Sequence, residues 1–477
     1  MKLSTHPLCG FLNGLPLVLA GANCNSLVQR LRAELSPHLA SENLISTTAP
    51  SRWSDFEAPD PGAVVNVATE SDVVATVKYC TERNIPFLAQ NGGNGWATTF
   101  HLDKTGVIIN LAGLNEVTFN ADKTQATIGG GSNVSNTIEH AYAAGALVLT
   151  GNCNCVGTLG ALLGGGYGNL LGKYSFGVDN ILSLRVVTAD GLLRNVTATS
   201  DPDLFWALRG AGPNFGIVTS VTVKSYPASE EAMQAWTGNL VYSEDQLEDV
   251  VQAIQDLVLA PDMVIFLYLL ADPTTGNPTV IAAPFLYGGD ATTGKTAFSG
   301  LYTIGPLADS TSVKPYNRWN EASNALCTRG SFKPGWAAGF QNMVPATWRG
   351  IWDAYVAFQK LPGAANSGVL LEAYSLTKAR SVASSSSAFP NRNVNFNAFA
   401  IPWYNDSSLD AQAAEFGNTA RDLLRSTSGL SRPQTYVNFG NGDEDLDVVY
   451  GDSLARLRDI KKKYDPDNVF NQWFNIL

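Results

Sequence analysis

Glycines cluster at positions 92, 93 and 95, and again at 157, 160, 164, 165, 166 and 168. A glycine leaves its backbone N–H bare and tolerates positive φ, so such clusters let a chain of phosphates approach the main chain closely. Tight turns are the alternative for either stretch alone. The second, running from Gly151 to Gly168, ends in Gly164-Gly165-Gly166-Tyr167-Gly168, more glycine than a turn requires, and the two stretches together favour a ligand cradle. The second stretch also carries Cys153 and Cys155. In an extended segment both would face the same side. A zinc centre would need a second pair of ligands at suitable spacing, which Cys80 and Cys327 do not supply, so no metal site is expected. One more residue stands out: Glu372, alone in the apolar run Val369-Leu370-Leu371-Glu372-Ala373-Tyr374. A carboxylate there must be paired, solvated in a cavity or raised in pKa.

The surrounding elements place both stretches on loops between regular structure. Val64 to Thr69 reads as a short strand and polar cap, and Glu70 to Cys80 as an amphipathic helix. A strand from Ile85 to Ala89 runs into the first glycine turn, Gly106 to Leu111 reads as a buried strand, and Thr124 to Ile128 alternates as a half-exposed one. A helix from Asn133 to Ala144, stopped by Gly145, precedes the second stretch. Beyond it, Ile181 to Thr188 and the residues after Ala189-Asp190-Gly191 read as strand, tight turn and return strand. Asp203 to Thr219 then reads as a short helix, a glycine loop and a strand carrying Gly216, Ile217 and Val218. From about Tyr226 the pattern changes to longer helices and alternating strands, with no internal repeat.

At 477 residues, 45% hydrophobic and 15% charged, the chain is long enough for two or three well-packed domains. Its net charge of −11 makes nucleic acid and anionic membrane poor partners. The run Lys461-Lys462-Lys463 reads as a solvated helix face. No apolar run reaches the ~18 residues of a spanning helix. The segment Phe11 to Ala22 is a weak leader core interrupted by Asn13, Gly14 and Pro16, so a cytoplasmic location is expected, with secretion the alternative. Six cysteines in so long a chain make no disulfide framework.

Two motifs compete for attention. Gly289-Asp290-Ala291-Thr292-Thr293-Gly294-Lys295-Thr296 matches a nucleotide-hydrolase phosphate loop, which makes an ATP-binding protein a remote alternative, but Pro284 is expected to break the strand before it. Gly210 to Gly216 has one residue too many for a dinucleotide fingerprint and precedes a strand rather than a helix.

The order of six segments resembles the berberine-bridge-enzyme-like flavoprotein oxidases of the vanillyl-alcohol-oxidase superfamily, fungal members above all. They are Gln90 to Trp96, Cys153 to Gly168, Lys173 to Asn180, Asp203 to Thr219, Phe389 to Asn393, and the tail from Tyr436-Val437-Asn438-Phe439 to Phe470. The resemblance implies an α+β architecture. Residues 1–58 would be an N-terminal extension and 59–226 an FAD-binding domain of two α+β subdomains, of the PCMH type. Residues 227–430 would form a substrate domain with an antiparallel sheet backed by helices, and 431–477 a berberine-bridge-like segment closing over the cofactor. FAD would be held by Asn91, Gly92, Gly93, Asn94 and Gly95, by Cys153, Cys155, Val156, Gly157, Thr158, Gly160, Gly165, Gly166 and Gly168, by Gly216, Ile217 and Val218, and by Asn438. The first loop would bind pyrophosphate through backbone donors.

Many relatives carry a flavin-linking histidine where this chain has Asn94, and an amide cannot replace it as a nucleophile. A cysteinyl link through Cys153 or Cys155 stays open. The implied activity is FAD-dependent oxidation of an activated C–H, at an alcohol or amine carbon of a small, largely apolar molecule. Hydride would pass to flavin N5 with O2 as acceptor giving H2O2, in fungal secondary metabolism. Relatives also guide ring closures, so a flavin-containing cyclase is the alternative. Tyr436 is the first choice of base and Glu372 the second. Val156 matches a position that gates oxygen, and Tyr374 and Trp403 are expected pocket walls.

Overall fold

Three short parallel strands, Ala63–Asn66, Val107–Asn110 and Phe87–Gln90, carry the β-branched and aromatic residues that build the first sheet, with Val107–Asn110 in the middle. The computed structural model describes residues 26–477; the leader-like segment Phe11 to Ala22 lies outside them. Helix Glu70–Glu82 starts where expected. Thr69 accepts from the Asp72 N–H, and the Asp72 carboxylate returns bonds to the N–H groups of Ala68 and Thr69, a reciprocal cap. The described part of the expected N-terminal extension is woven into this unit. Ile45–Ser46 pairs antiparallel with the edge of the sheet, helix Leu27–Glu34 packs Val28 and Leu31 into the same core, and the Trp53 N–H donates to the Gly93 carbonyl at 2.9 Å.

The second sheet runs Val117–Phe119, Gln125–Gly129, Ile217–Pro227, Ile181–Val187, Leu193–Thr197, with Ala146–Val148 also on the long strand Ile217–Pro227. Helix Val134–Ala144 is capped by Asn133 and ends at Gly145, whose φ of 71° is the left-handed stop that glycine takes without strain. The second glycine stretch leaves this layer and enters the short helix Thr158–Gly164.

A nine-stranded antiparallel sheet forms the rest of the α+β fold. Its central strands Met263–Ala271, Gly368–Tyr374 and Phe396–Ile401 lie side by side, with Phe266 opposite Glu372, Tyr268 opposite Leu370, and Leu370 opposite Phe399. Alternation divides the residues between two faces. Ile265, Leu267, Leu371, Ala398 and Ala400 join a core with the helices Pro345–Gln359, Asp410–Ser426 and Leu247–Asp256. Phe266, Tyr268, Leu370, Glu372, Phe399 and Ile401 turn the other way, toward the glycine loops.

Pro284 does not break its strand. Pro278–Tyr287 is ten residues long and paired throughout with Met263–Ala271. The Tyr287 N–H bonds to Asp262 on that side, so by alternation position 284 points its nitrogen the other way, into the gap between the partners of Phe285 and Ala282. No ladder bond is due there. The phosphate-loop look-alike is a seven-residue helix, Ala291–Ala297, docked through Gly294 on Trp236, with Lys295 paired to Asp309 at 3.2 Å.

The lysine run near the C-terminus is only partly solvated. In helix Leu454–Tyr464, Leu457, Ile460 and Lys461 share the inward face. The buried Lys461 ammonium is satisfied by Asp465 at 2.6 Å and by the carbonyls of Asn214 and Phe470, both at 2.8 Å, while Lys462 and Lys463 are exposed. No helix among the described residues is long and apolar enough to cross a membrane.

Candidate active site

The two glycine loops meet. A Cβ on Gly92 would stand 2.5 Å from the Gly157 nitrogen, and one on Gly157 would stand 2.8 Å from Asn91 Nδ2. Side chains are therefore excluded from the line where the loops touch. Asn91 fixes the junction by donating to the Ser132 carbonyl at 2.9 Å, and the Asn94 amide nitrogen bridges the Gly92 and Cys155 carbonyls at 2.9 and 3.1 Å. Above the junction opens a cavity of about 420 Å³, bounded by both loops, the large sheet and the C-terminal segment.

Two arginines from distant segments brace the first loop, which has no cation of its own. Arg329 donates to the Ser51 and Gly92 carbonyls at 2.7 and 2.9 Å, and Arg52 to Gln90 Oε1 and the Gly95 carbonyl at 3.0 and 2.7 Å. Burial, reinforced by neighbouring Arg329, lowers Arg52 to about 10. No local motif marks either residue.

Of the positions expected to hold the ligand, Asn91 to Gly95, Cys153, Val156, Gly157, Gly160, Gly216, Ile217, Val218 and Asn438 line the cavity. Five lie behind its wall. Thr158 is fully buried and shares a hydroxyl hydrogen bond with Thr137 at 2.9 Å. Gly165, Gly166 and Gly168 serve close packing: a Cβ would come within 2.6 Å of the Phe389 ring, 2.7 Å of Gly177 Cα and 1.9 Å of the Thr150 oxygen, respectively. The fifth, Cys155, forms a disulfide with Cys327, 172 residues away. That bond removes Cys155 as a thiol for flavin attachment and ties the second loop to the short helix Glu321–Cys327, a link that sequence spacing did not reveal. Cys153 keeps its thiol on the cavity wall, 3.5 and 3.6 Å from the two bonded sulfurs; burial raises it to about 11.

Tyr374 and Trp403 do not line the cavity either. Trp403 packs edge-on to Trp53 at 6.3 Å and under the Lys333 ammonium at 4.1 Å. The walls are instead Trp53, Trp96, Phe399 and Phe439, with Trp96 stacked on Phe439 at 6.0 Å. Tyr374 stands behind Glu372, donating to Oε2 at 2.7 Å and accepting from Asn152 Nδ2 at 2.5 Å; the Asn169 N–H in turn holds Asn152 Oδ1 at 3.0 Å. Glu372 faces the cavity from an apolar sheet. Burial raises its pKa to about 7, against the opposing pull of the Tyr374 hydrogen bond. The Tyr436 hydroxyl is already committed. It donates to the Ala161 carbonyl at 3.2 Å and accepts from the Gly166 N–H at 3.2 Å and Asn438 Nδ2 at 2.8 Å, and burial lifts its pKa well above that of a free phenol. Of the two candidate bases, Glu372 has the free lone pairs.

Residues 61–197 match the family model described as FAD binding domain, and residues 435–476 that described as Berberine and berberine like. An FAD-linked oxidoreductase of Pyricularia oryzae is 32% identical over 88% of this chain and 84% of its own length. Another, of Penicillium roqueforti, is 31% identical over 93% of this chain and 91% of its own. Among solved structures, Physcomitrella patens BBE-like 1 superposes with a TM-score of 0.77 at 20% identity, covering 88% of this chain and 92% of that one, a likeness of fold. A glycine-loop junction at the mouth of an apolar cavity, a tail folded over it and close relatives along nearly the whole chain converge: the protein belongs to the berberine-bridge-enzyme-like family of FAD-linked oxidoreductases.

Proposed function

We propose that the protein oxidises an activated C–H, at the alcohol or amine carbon of a small, largely apolar molecule, with O2 as terminal acceptor and H2O2 as by-product. The observation that carries this reading is Glu372, a buried carboxylate held by Tyr374 in an apolar sheet that faces the glycine loops across one cavity, where burial pushes its pKa up to about 7.

The residues present fit FAD. The Gly92–Gly157 junction admits a ligand only without side chains in the way, and Gly160 opens on the cavity with nothing within 4 Å of where its Cβ would stand. The loops from Asn91 to Gly95 and from Val156 to Gly160 would hold the pyrophosphate and ring system, Gly216 to Val218 and Asn438 would border them, and Phe87, Leu111 and Phe470 offer an apolar wall to a purine. When bound, FAD supplies a hydride acceptor and the route for two electrons to O2. Glu372 Oε accepts the proton of the substrate hydroxyl or amine, Tyr374 and Asn152 hold that carboxylate in place, and the aromatic walls exclude water.

Cys153 is the thiol positioned for a cysteinyl link, and no histidyl link is expected where Asn94 stands in place of the linking histidine. Acid precipitation of the purified protein is expected to leave yellow colour in the pellet, and Cys153→Ser to release it to the supernatant. Release from the wild type would show FAD held without a covalent bond. Oxygen uptake with stoichiometric peroxide on adding benzylic or allylic alcohols tests the activity itself; uptake with none of them would remove the reading. Val156, in the second loop and on the cavity wall, is assigned the oxygen gate. Val156→Leu should slow reoxidation of the reduced flavin about tenfold in stopped flow, about 1.4 kcal/mol of barrier, while leaving its reduction unchanged.

A further inference from the structure

The cavity-facing side of the large sheet has a definite size and chemistry. Glu372 lies opposite Phe266, and one rung along, Leu370 lies between Tyr268 and Phe399. Strands stand about 4.8 Å apart and alternate residues repeat at about 6.6 Å along a strand, so three strands and two rungs present a patch of roughly 10 by 7 Å. That is the footprint of two fused six-membered rings. Aromatic side chains enclose it: Trp96 lies 5.7 Å from Phe399 and 5.6 Å from Trp53, and Phe399 lies 4.5 Å from Phe439. Flat rings find edge and offset partners on every side.

Charge narrows the class further. Among the described residues lining the cavity, the charged side chains are Arg52 and Glu372. Arg52 is held on the first loop by its bonds to Gln90 and Gly95, with its guanidinium over the Phe100 ring at 5.1 Å, whereas a carboxylate or phosphate lying on the sheet face would meet Glu372 there. A sugar fares no better, because most of its hydroxyls would lie against Leu370, Phe399, Phe266 and Ile401 without partners.

One polar atom on this patch has no assigned task. Tyr268 lines the cavity diagonally from Glu372 on the neighbouring strand, and its hydroxyl has no hydrogen-bond partner among the described residues. Burial, and the nearby Glu372 charge, raise its pKa, which keeps it a donor across the physiological range.

We propose that this sheet face binds a flat, uncharged, fused-ring alcohol carrying a second oxygen, with the reacting carbon at Glu372 and the second oxygen accepting a hydrogen bond from Tyr268. This assignment rests on the oxidase reading for the role of Glu372, and the test separates the two. Anaerobic titration calorimetry of the flavin-loaded protein is run with 6-methoxy-2-naphthalenemethanol, 2-naphthalenemethanol, benzyl alcohol, 6-(hydroxymethyl)-2-naphthoate and xylobiose.

The methoxy compound is expected to bind at least tenfold tighter than 2-naphthalenemethanol, and that in turn tighter than benzyl alcohol, with the carboxylate and the sugar weakest. Tyr268→Phe should erase the methoxy advantage and leave 2-naphthalenemethanol affinity within twofold. Equal loss for both naphthalenes in that variant, or equal binding of the carboxylate, would overturn the assignment. Tight naphthalene binding without oxygen uptake would leave the assignment standing and remove the oxidase reading. Sugar oxidation without naphthalene binding would do the reverse.

Discussion

Replacing Glu372 by Gln is expected to slow flavin reduction by substrate about 10²- to 10⁴-fold, the usual contribution of a positioned general base. The amide keeps the shape and can still accept from Tyr374, but it cannot take up a proton. In the wild type the rate of anaerobic reduction should rise with pH and level off above about 7, where Glu372 is ionised; in Glu372→Gln that limb should disappear. Stability should move the opposite way. The folded pKa lies above the ordinary glutamate value, so the folded state binds the extra proton between about 4.5 and about 7. This group's contribution is therefore full at low pH and is lost as pH rises through about 7, a difference on the order of 3 kcal/mol. Glu372→Gln removes that loss and should be the more stable protein at pH 8. A variant that reduces its flavin within threefold of the wild-type rate would move the base elsewhere, with Tyr436→Phe the next to examine.

The second large effect concerns an ion pair that joins two of the family segments. Arg392 donates to both carboxylate oxygens of Asp179 at 2.7 and 2.8 Å, with side chains only 3% and 6% exposed. Ser387 Oγ accepts a further bond from Arg392 at 2.8 Å, and the rings of Phe176 and Phe389 lie 5.6 and 5.9 Å from the guanidinium. Either Arg392→Met or Asp179→Leu strands a buried charge, at an expected loss of about 3 to 5 kcal/mol. Removing both charges strands none, so Arg392→Met with Asp179→Leu should recover most of that loss in a double-mutant cycle read by denaturant unfolding. Summed losses in the double variant would show that the pair is held by packing alone. Phe389 closes against Gly165 and Gly210, so the single variants should also loosen the second glycine loop and shed flavin more readily.

What was legible in the sequence was local. The cap at Thr69, the helix start at about Asn133, the stop at Gly145 and the strands flanking the first loop depend on neighbours a few residues away, and the structure has them where the pattern requires, with Asn133 itself the cap. The glycines at 92, 93, 95, 157 and 160 also border the cavity. What was not legible depended on distant partners. The bracing arginines act from 38 or more residues away in sequence, and the Cys155–Cys327 bond spans 172 residues. The hydrogen bonds that hold the Tyr436 hydroxyl, to Ala161, Gly166 and Asn438, come mostly from partners that are distant in sequence. Glycines 165, 166 and 168 read as ligand contacts, yet they answer to Phe389, Gly177 and Thr150. Lys461 looked solvated because its acceptors, the carbonyls of Asn214 and Phe470 among them, belong to loops that pattern alone does not bring together.

The two-faced sheet has a consequence for descent. Residues 265, 267, 371, 398 and 400 belong to the helix-packed core, whereas 266, 268, 370, 399 and 401 meet whatever enters the cavity. Mutations on the second set leave the first set's helix packing intact, so lineages can change the residues that meet a substrate while the helix-packed core is held constant. Single-residue insertions or deletions in these strands have no such freedom, because a slip of one position would bury the carboxylate among the helices and turn the core outward. Diversification here should proceed by substitution at alternate positions, with strand length held constant.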